Sequence, residues 1–172
     1  MPATIDDLTA FLRDLAAETT TTRHPPLHTV GESQALRGEI PGAHTKNLFL
    51  KDKKGNLFLV VAAEDAVIDL KQLHHRIGAS GRLSFGRPEL LLDVLGVAPG
   101  SVTPLGLIND TGGRLRVVLD AGLMRNAVVN CHPLVNTATM SIRADDLLRF
   151  IRATGHEPAI IALDGGATPP QL

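Results

Sequence analysis

Tryptophan and tyrosine are absent from this 172-residue chain, and phenylalanine occurs only five times. Base-stacking platforms and aromatic cages for cations therefore have almost nothing to be built from. A single cysteine removes disulfide frameworks and thiolate zinc sites together and suits a reducing compartment. Neither charge is in surplus: Lys+Arg sum to 17 and Asp+Glu to 18, a formal net charge of -1. A protein that coats nucleic acid carries a basic excess, so DNA is not an expected partner, although a small local contact stays open. The longest apolar run, Leu57 to Ala63, falls far short of the roughly 20 residues of a spanning helix, so no membrane partner is expected. The first residues are acidic where a signal peptide would be basic, and the cytoplasm is the expected location. With 44% hydrophobic and 20% charged residues, the chain is long enough for one sizeable core.

Local patterns then place the elements. Thr4 and Asp7 read as a capping box before Leu8, Phe11, Leu12 and Leu15 at helical spacing. The segment Thr19 to Thr29 is β-branched but broken by Pro25-Pro26, so its strand must be short or at an edge. A brief helix is expected around Ser33 to Arg37. Asn47 to Lys51 and Leu57 to Ala62 flank the turn-rich Asp52 to Asn56 as a hairpin, and the second strand is apolar on both parities, as if covered on both faces. Asp65 can cap a helix carrying Val67, Leu70, Leu73 and Ile77 and closed by Gly78. After a short strand from Arg82 to Phe85, Pro88 opens a helix that Gly96 ends. Val97 to Pro104 reads as a shaped loop without regular structure. Leu105 to Ile108 and Leu115 to Leu119 suggest a second hairpin, Val128 to Leu134 and Thr137 to Ile142 two further strands, Ala144 to Thr154 a helix and Ala159 to Leu163 a last strand. Together these predict one α+β (mixed α/β) domain over residues 1–164, with a mixed, barrel-like sheet flanked by helices, and a mobile tail over 165–172.

Familiar catalytic machines are missing. There is no GxGxxG, P-loop or GxSxG elbow, and His74-His75 point about 100° apart on a helix, which does not make a metal site. Cys131 and His132 are strand neighbours and project to opposite faces, so they cannot form a dyad; Cys131 reads as a core residue. His132 is either a hydrogen-bonded structural histidine or a ligand-facing one, beside a proline that withholds a ladder donor. Lys46, on a face with Leu48 and Leu50, must either snorkel to water or meet an anion. The Gly100 to Pro104 loop offers backbone groups with little side-chain bulk. Lys51, Lys53, Lys54, Arg76, Arg82 and Arg87 are either ordinary solvated surface or a modest patch for phosphates.

The ordered set Thr45-Lys46-Asn47-Leu48-Phe49-Leu50, Gly100-Ser101-Val102-Thr103-Pro104 and Cys131-His132-Pro133-Leu134-Val135-Asn136-Thr137-Ala138-Thr139 resembles the YbaK/ProX family of aminoacyl-tRNA deacylases, over about Leu8 to Asp164. Within that family it looks most like the free-standing prolyl-tRNA editing proteins that remove alanine mischarged onto proline tRNA. The resemblance implies catalytic roles at Lys46, Gly100 and His132, substrate contacts at Asn47, Ser101, Pro104, Asn136 and Thr137, and no metal or cofactor. It further implies Lys46 beside the phosphate and sugar of the tRNA acceptor end, and a water oriented by the substrate's own ribose hydroxyl. Prolyl-tRNA synthetase or an elongation factor is an implied partner, and a monomer or homodimer the implied state. Alternatives are a deacylase for another mischarged ester, such as cysteinyl-tRNA, and a non-catalytic tRNA- or synthetase-binding module.

Overall fold

A computed structural model describes residues 1–26 and 40–163. The helix expected around Ser33 to Arg37 and the tail from 165 onward lie outside those residues. The first helix, α1 (Ile5–Asp14), is capped as its sequence requires: Thr4 Oγ1 accepts the Asp7 N–H, and the Asp7 carboxylate accepts the Thr4 N–H. Eight strands follow as β1 (Thr19–Arg23), β2 (Ala43–Lys51), β3 (Leu57–Ala63), β4 (Ser84–Phe85), β5 (Leu115–Asp120), β6 (Val128–Cys131), β7 (Ala138–Arg143) and β8 (Ala159–Ile161). Between them stand α2 (Leu73–Ile77), α3 (Pro88–Leu95) and α4 (Ala144–Ala153). The strands form one mixed sheet in the order β1-β7-β6-β2-β3-β5-β8, with β4 paired to β2 off this path. Among the described residues no helix is long and apolar enough to cross a membrane.

The central strand β3 shows why the sheet is layered on both sides. Its odd residues Leu57, Leu59 and Val61 enter the larger core, with Leu8 and Leu12 of α1, Leu91 and Leu95 of α3, and Leu147, Phe150 and Ile151 of α4. Its even residues Phe58 and Val60 enter a smaller core with Leu50, Leu73 of α2, Val118 and Leu163. Period-two side chains pointing to opposite faces leave no solvated parity on a strand covered twice, as the run of apolar residues indicates. Each such fully buried side chain contributes about 1.5–3 kcal/mol. Phe11 and Phe150 meet edge to face at 5.4 Å and join α1 to α4.

Three expectations are corrected. Pro104–Asn109 is a 3-10 helix instead of a hairpin strand, and β5 pairs parallel to β3 and β8. Thr103 caps this turn by accepting the Leu105 N–H at 3.2 Å, while Leu105 and Leu107 are buried in the larger core. A short apolar run does not distinguish strand from helix without its partners. Pro99–Ser101 is likewise a 3-10 turn, so the loop from Val97 to Pro104 does hold regular structure. The helix expected from Asp65 forms only at Leu73–Ile77: the Ala66 carbonyl accepts the Lys46 amine, and Val67 and Leu70 face outward. Gly78 and Gly96 end α2 and α3 in the left-handed conformation, as expected.

Two buried carboxylates fix the turns. Asp52 accepts the N–H groups of Lys54, Asn56 and Ser80 and the Asn56 side-chain amide, all within 3.0 Å. Burial pushes its carboxyl up, but these four bonds outweigh burial and hold it at about 2. Unfolded, the group protonates near 3.8, so its stabilisation is complete above that pH and is lost as the pH falls toward 2. Thermal unfolding followed from pH 5 to pH 2 is expected to show this loss, and Asp52→Asn to flatten it; an unchanged slope in the variant would contradict the assignment. Asp110 accepts the Arg114 and Leu115 N–H groups and pairs with His156 Nε2 at 2.8 Å, both side chains almost wholly buried. Asp110→Ala leaves that imidazole and two backbone N–H groups without their acceptor and is expected to cost at least about 1–3 kcal/mol in denaturant unfolding.

Candidate functional site

The site is built where two parallel strands part. β2 and β6 pair only at their starts, Ala43 opposite Val129 and His44 opposite Asn130. Continuing that register sets Lys46 level with His132 and Asn47 level with Pro133, but no pairing follows. Pro133 has no N–H to donate, and Leu134 adopts φ 73°, so the chain turns out of the sheet there. A non-glycine residue in that region costs about 1–3 kcal/mol and persists because its surroundings fix it; Leu134 is buried.

Asn130 holds the strands together just before they separate. Its side-chain oxygen accepts from Ser141 Oγ, its amide donates to the Pro41 carbonyl at 3.0 Å, and its own carbonyl accepts the Thr45 hydroxyl at 2.8 Å. The Thr45 side chain thus closes across the last point of contact, and beyond it the two strands are no longer paired.

Pairing and alternation also separate the two faces of this half of the sheet. Val129, Cys131, Met140 and Ile142 enter the larger core. The opposite face carries His44, Asn130, Ser141 and Thr20 at one level and Thr139 and Thr22 at the next. His44 and Lys46 lie on this polar face of β2, whereas Leu48 and Leu50 continue it under α2. Lys46 therefore sits at the border between an open polar surface and a covered apolar one. β2 begins at Ala43, four residues before the expected strand start, so Lys46 and Asn47 lie within it.

His132, just past β6, donates from Nδ1 to the Ala138 carbonyl at 3.3 Å; a carbonyl only accepts, so Nδ1 carries the hydrogen. Nε2 is then the acceptor, with no partner among the described residues. Burial lowers the basicity of this ring, the nearby His24 lowers it further, and the Ala138 bond offsets part of the effect. His24 is tied down in the same way: Nδ1 donates to the Pro25 carbonyl at 2.8 Å, and Nε2 lies 2.9 Å from Thr139 Oγ1. Asn47 has its side-chain oxygen buried without a partner, while its amide reaches Thr45 Oγ1 at 3.4 Å.

The remaining expected residues approach through loops. A Cβ added at Gly100 would stand 3.3 Å from Asn136 Nδ2, so the Gly100 turn abuts the loop that starts at His132. Ser101 and Pro104 are buried, Ser101 within the same turn and Pro104 at the start of the next. Thr137 has an exposed side chain and enters through its carbonyl, which accepts the His24 N–H at 2.9 Å. Cys131 faces the core with its thiol pushed up to about 12 by burial. His74 and His75 stack on each other at 4.0 Å, and among the described residues no three metal-ligating side chains gather. His24 and Ser141 were not singled out from sequence, and Thr45 and Thr139 appeared only as ends of the quoted motifs; the Thr20, Thr22, His24 alternation was the one sequence hint that β1 presents a polar face.

The family model of the aminoacyl-tRNA editing domain matches residues 24–150, a span that holds His24, Lys46, Asn47, Gly100 and His132. The chain belongs to this family. It is 42% identical over 160 residues to prolyl-tRNA synthetase associated domain-containing protein 1 of Danio rerio, covering 92% of this chain and 86% of that one. It is 36% identical over 148 residues to the prolyl-tRNA editing protein ProX of Acetoanaerobium sticklandii, covering 86% and 90%. Among solved structures, a candidate trans-editing enzyme for prolyl tRNA synthetase superimposes with a TM-score of 0.67 at 20% identity, over 94% of this chain and 99% of that one. The crystal structure of a hypothetical protein gives 0.69 at 19% identity, over 90% and 97%. These two likenesses show the fold; the family match and the relatives bear out the YbaK/ProX resemblance.

His132 should titrate with a midpoint below the ordinary 6.5 and show the Nδ1–H tautomer at pH 7 in two-bond proton–nitrogen spectra. A midpoint above 6.5, or the Nε2–H tautomer, would contradict this geometry.

Proposed function

We propose that this chain is a trans-editing deacylase that hydrolyses alanine mischarged onto proline tRNA. The observation that supports the reading is the break in pairing between β2 and β6, where the register sets Lys46 level with His132 inside a span that matches an editing domain. The ProX relative is named for prolyl-tRNA editing, and the animal relatives for association with prolyl-tRNA synthetase. The tRNA acceptor end is then the partner, with the synthetase a second one.

An aminoacyl ester is already activated, so the protein must hold it, place a water and stabilise the developing oxyanion. Lys46 is suited to the anionic end. Its amine rests on the Ala66 carbonyl, at the edge of the polar face, and can turn to a phosphate or an oxyanion by exchanging one hydrogen bond for a stronger charged one. Backbone groups of the Gly100 turn are placed to hold the acyl group, since glycine there leaves the main chain accessible. Water adds to the ester carbon, the bond to the ribose oxygen breaks, and that oxygen takes a proton, releasing alanine and free tRNA. The vicinal ribose hydroxyl orients the water, as the family resemblance implies, which fits a site without a nucleophile. Proline escapes because a pocket sized for a methyl group does not admit the ring, whereas apolar attraction alone would separate the two by only about 1–3 kcal/mol.

Incubation with alanyl-, cysteinyl- and prolyl-tRNA(Pro) tests this: release of alanine alone is expected. Release of cysteine would move the substrate, and no release would leave a binding module. Lys46→Ala is expected to lower kcat/KM for alanine release by at least about 100-fold with the melting transition intact, the size of effect seen when one oxyanion-stabilising group is removed. Full activity in that variant would overturn the assigned role.

A further inference from the structure

The proposed hydrolysis makes no use of His24. Continuing the antiparallel register of β6 and β7 past Asn130–Ser141 and Cys131–Met140 sets His132 level with Thr139, which is itself opposite Thr22 of β1. Thr22, Thr139, His132 and Lys46 thus form one row across four strands on the polar face. His24, two residues past Thr22, donates its main-chain N–H to the Thr137 carbonyl, and its ring reaches back to Thr139 Oγ1 at 2.9 Å. Two imidazoles therefore flank one threonine, His24 from the side of β1 and His132 from the side of β6. Resting on the editing reading above, we propose that His24 is a positioning residue: beside His132 it opposes a charge on that ring, so that Lys46 is the one cation on the row where the anionic end of the substrate binds.

The two rings differ in their partners. His24 has an oxygen at each nitrogen, the Pro25 carbonyl at 2.8 Å and the Thr139 hydroxyl, so it can carry N–H groups at both with an acceptor for each. The hydroxyl serves either state, donating to a bare Nε2 and accepting from a protonated one. His132 has one such oxygen, the Ala138 carbonyl at 3.3 Å, and burial disfavours its charged form, an effect to which His24 adds. The other groups around His132 leave this balance in place. Lys46 faces it from β2 on the same row, with His44 two residues before it; Asn130, Thr139 and Ser141 are uncharged. The Gly100 turn and the loop through Asn136 carry no ionisable side chain. Along the neighbouring strands the carboxylates on this face are farther off, Glu64 opposite His44 just past β3 and Asp120 on β5, three strands from His132. Were His132 charged as well as Lys46, a phosphate would have two places to bind, about one strand spacing or 4.8 Å apart. Misplacement of the reacting atoms by even about 1 Å can cost 100-fold in rate, so a single cation on the row fixes the ester where it reacts.

The test follows the His132 ring by two-bond proton–nitrogen spectra through a pH titration of the full chain, unaltered and as His24→Gln and His24→Lys. Glutamine keeps a polar partner for Thr139 without a charge, whereas lysine carries a charge throughout. The His132 midpoint is expected to rise by about 0.5 or more in pH in His24→Gln, the effect of losing a like charge several ångströms away. In His24→Lys it is expected to stay at or below that of the unaltered protein, whereas a merely structural His24 would give the same change in both variants. The unaltered protein needs no substitution to report: its His132 curve should bend where His24 titrates. An unmoved midpoint in His24→Gln, an equal rise in His24→Lys, or a His132 curve independent of His24 would overturn the inference. Alanine release from alanyl-tRNA(Pro), measured over the same range, is expected to lose kcat/KM on the acid side at higher pH in His24→Gln, in step with the ring. No release by the unaltered protein sinks the deacylase alone, since the ring still reports on His24; release whose acid limb ignores a shifted His132 sinks the positioning role alone.

Discussion

A parallel strand pair that stops after two residues is the constraint on which this molecule's site depends. β2 and β6 are joined at Ala43–Val129 and His44–Asn130, clasped by the Thr45 hydroxyl on the Asn130 carbonyl, and then separate at Pro133. Had the ladder continued, the backbone edges at Lys46 and His132 would be sealed against each other. Proline removes the donor that would continue it, and the left-handed Leu134 carries the chain away. The rest of the fold keeps this opening in place: β3 is buried on both sides of the sheet and pins β2, while β7 pins β6.

Much of the scaffold was legible from local rules. The Thr4–Asp7 box, the glycines after α2 and α3, the two-faced apolar run of β3 and the edge position of β1 each follow from a few consecutive residues. Where the reading failed, the deciding partner was distant or the signal ambiguous. Leu105 and Leu107 have the apolar character of a strand but lie in a 3-10 turn because Pro104 and Thr103 set its start. The helix from Asp65 was shortened because Ala66 gives its carbonyl to Lys46, a residue on another strand.

The site shows the same division. Lys46 and His132 stood out as residue types with awkward chemistry for their surroundings, Gly100 as a position free of bulk, and Asn47 only through the family resemblance. Their mutual arrangement was not legible, since it depends on the register between β2 and β6, which two paired positions set across a long separation in sequence. The supporting shell of His24, Thr139 and Ser141 was invisible for the same reason: each is an ordinary polar residue until pairing places it on the polar face beside Lys46 and His132.

Cys131 acquires a meaning from this arrangement that its chemistry alone would not suggest. It immediately precedes His132, yet it points into the larger core with a thiol that stays protonated. For the proposed deacylase, sulfur beside an activated ester would be a trap, because a thiolate would capture the acyl group as a thioester and stall release. Turning that one side chain inward keeps the thiol off the face that carries His132 and shields it from oxidants.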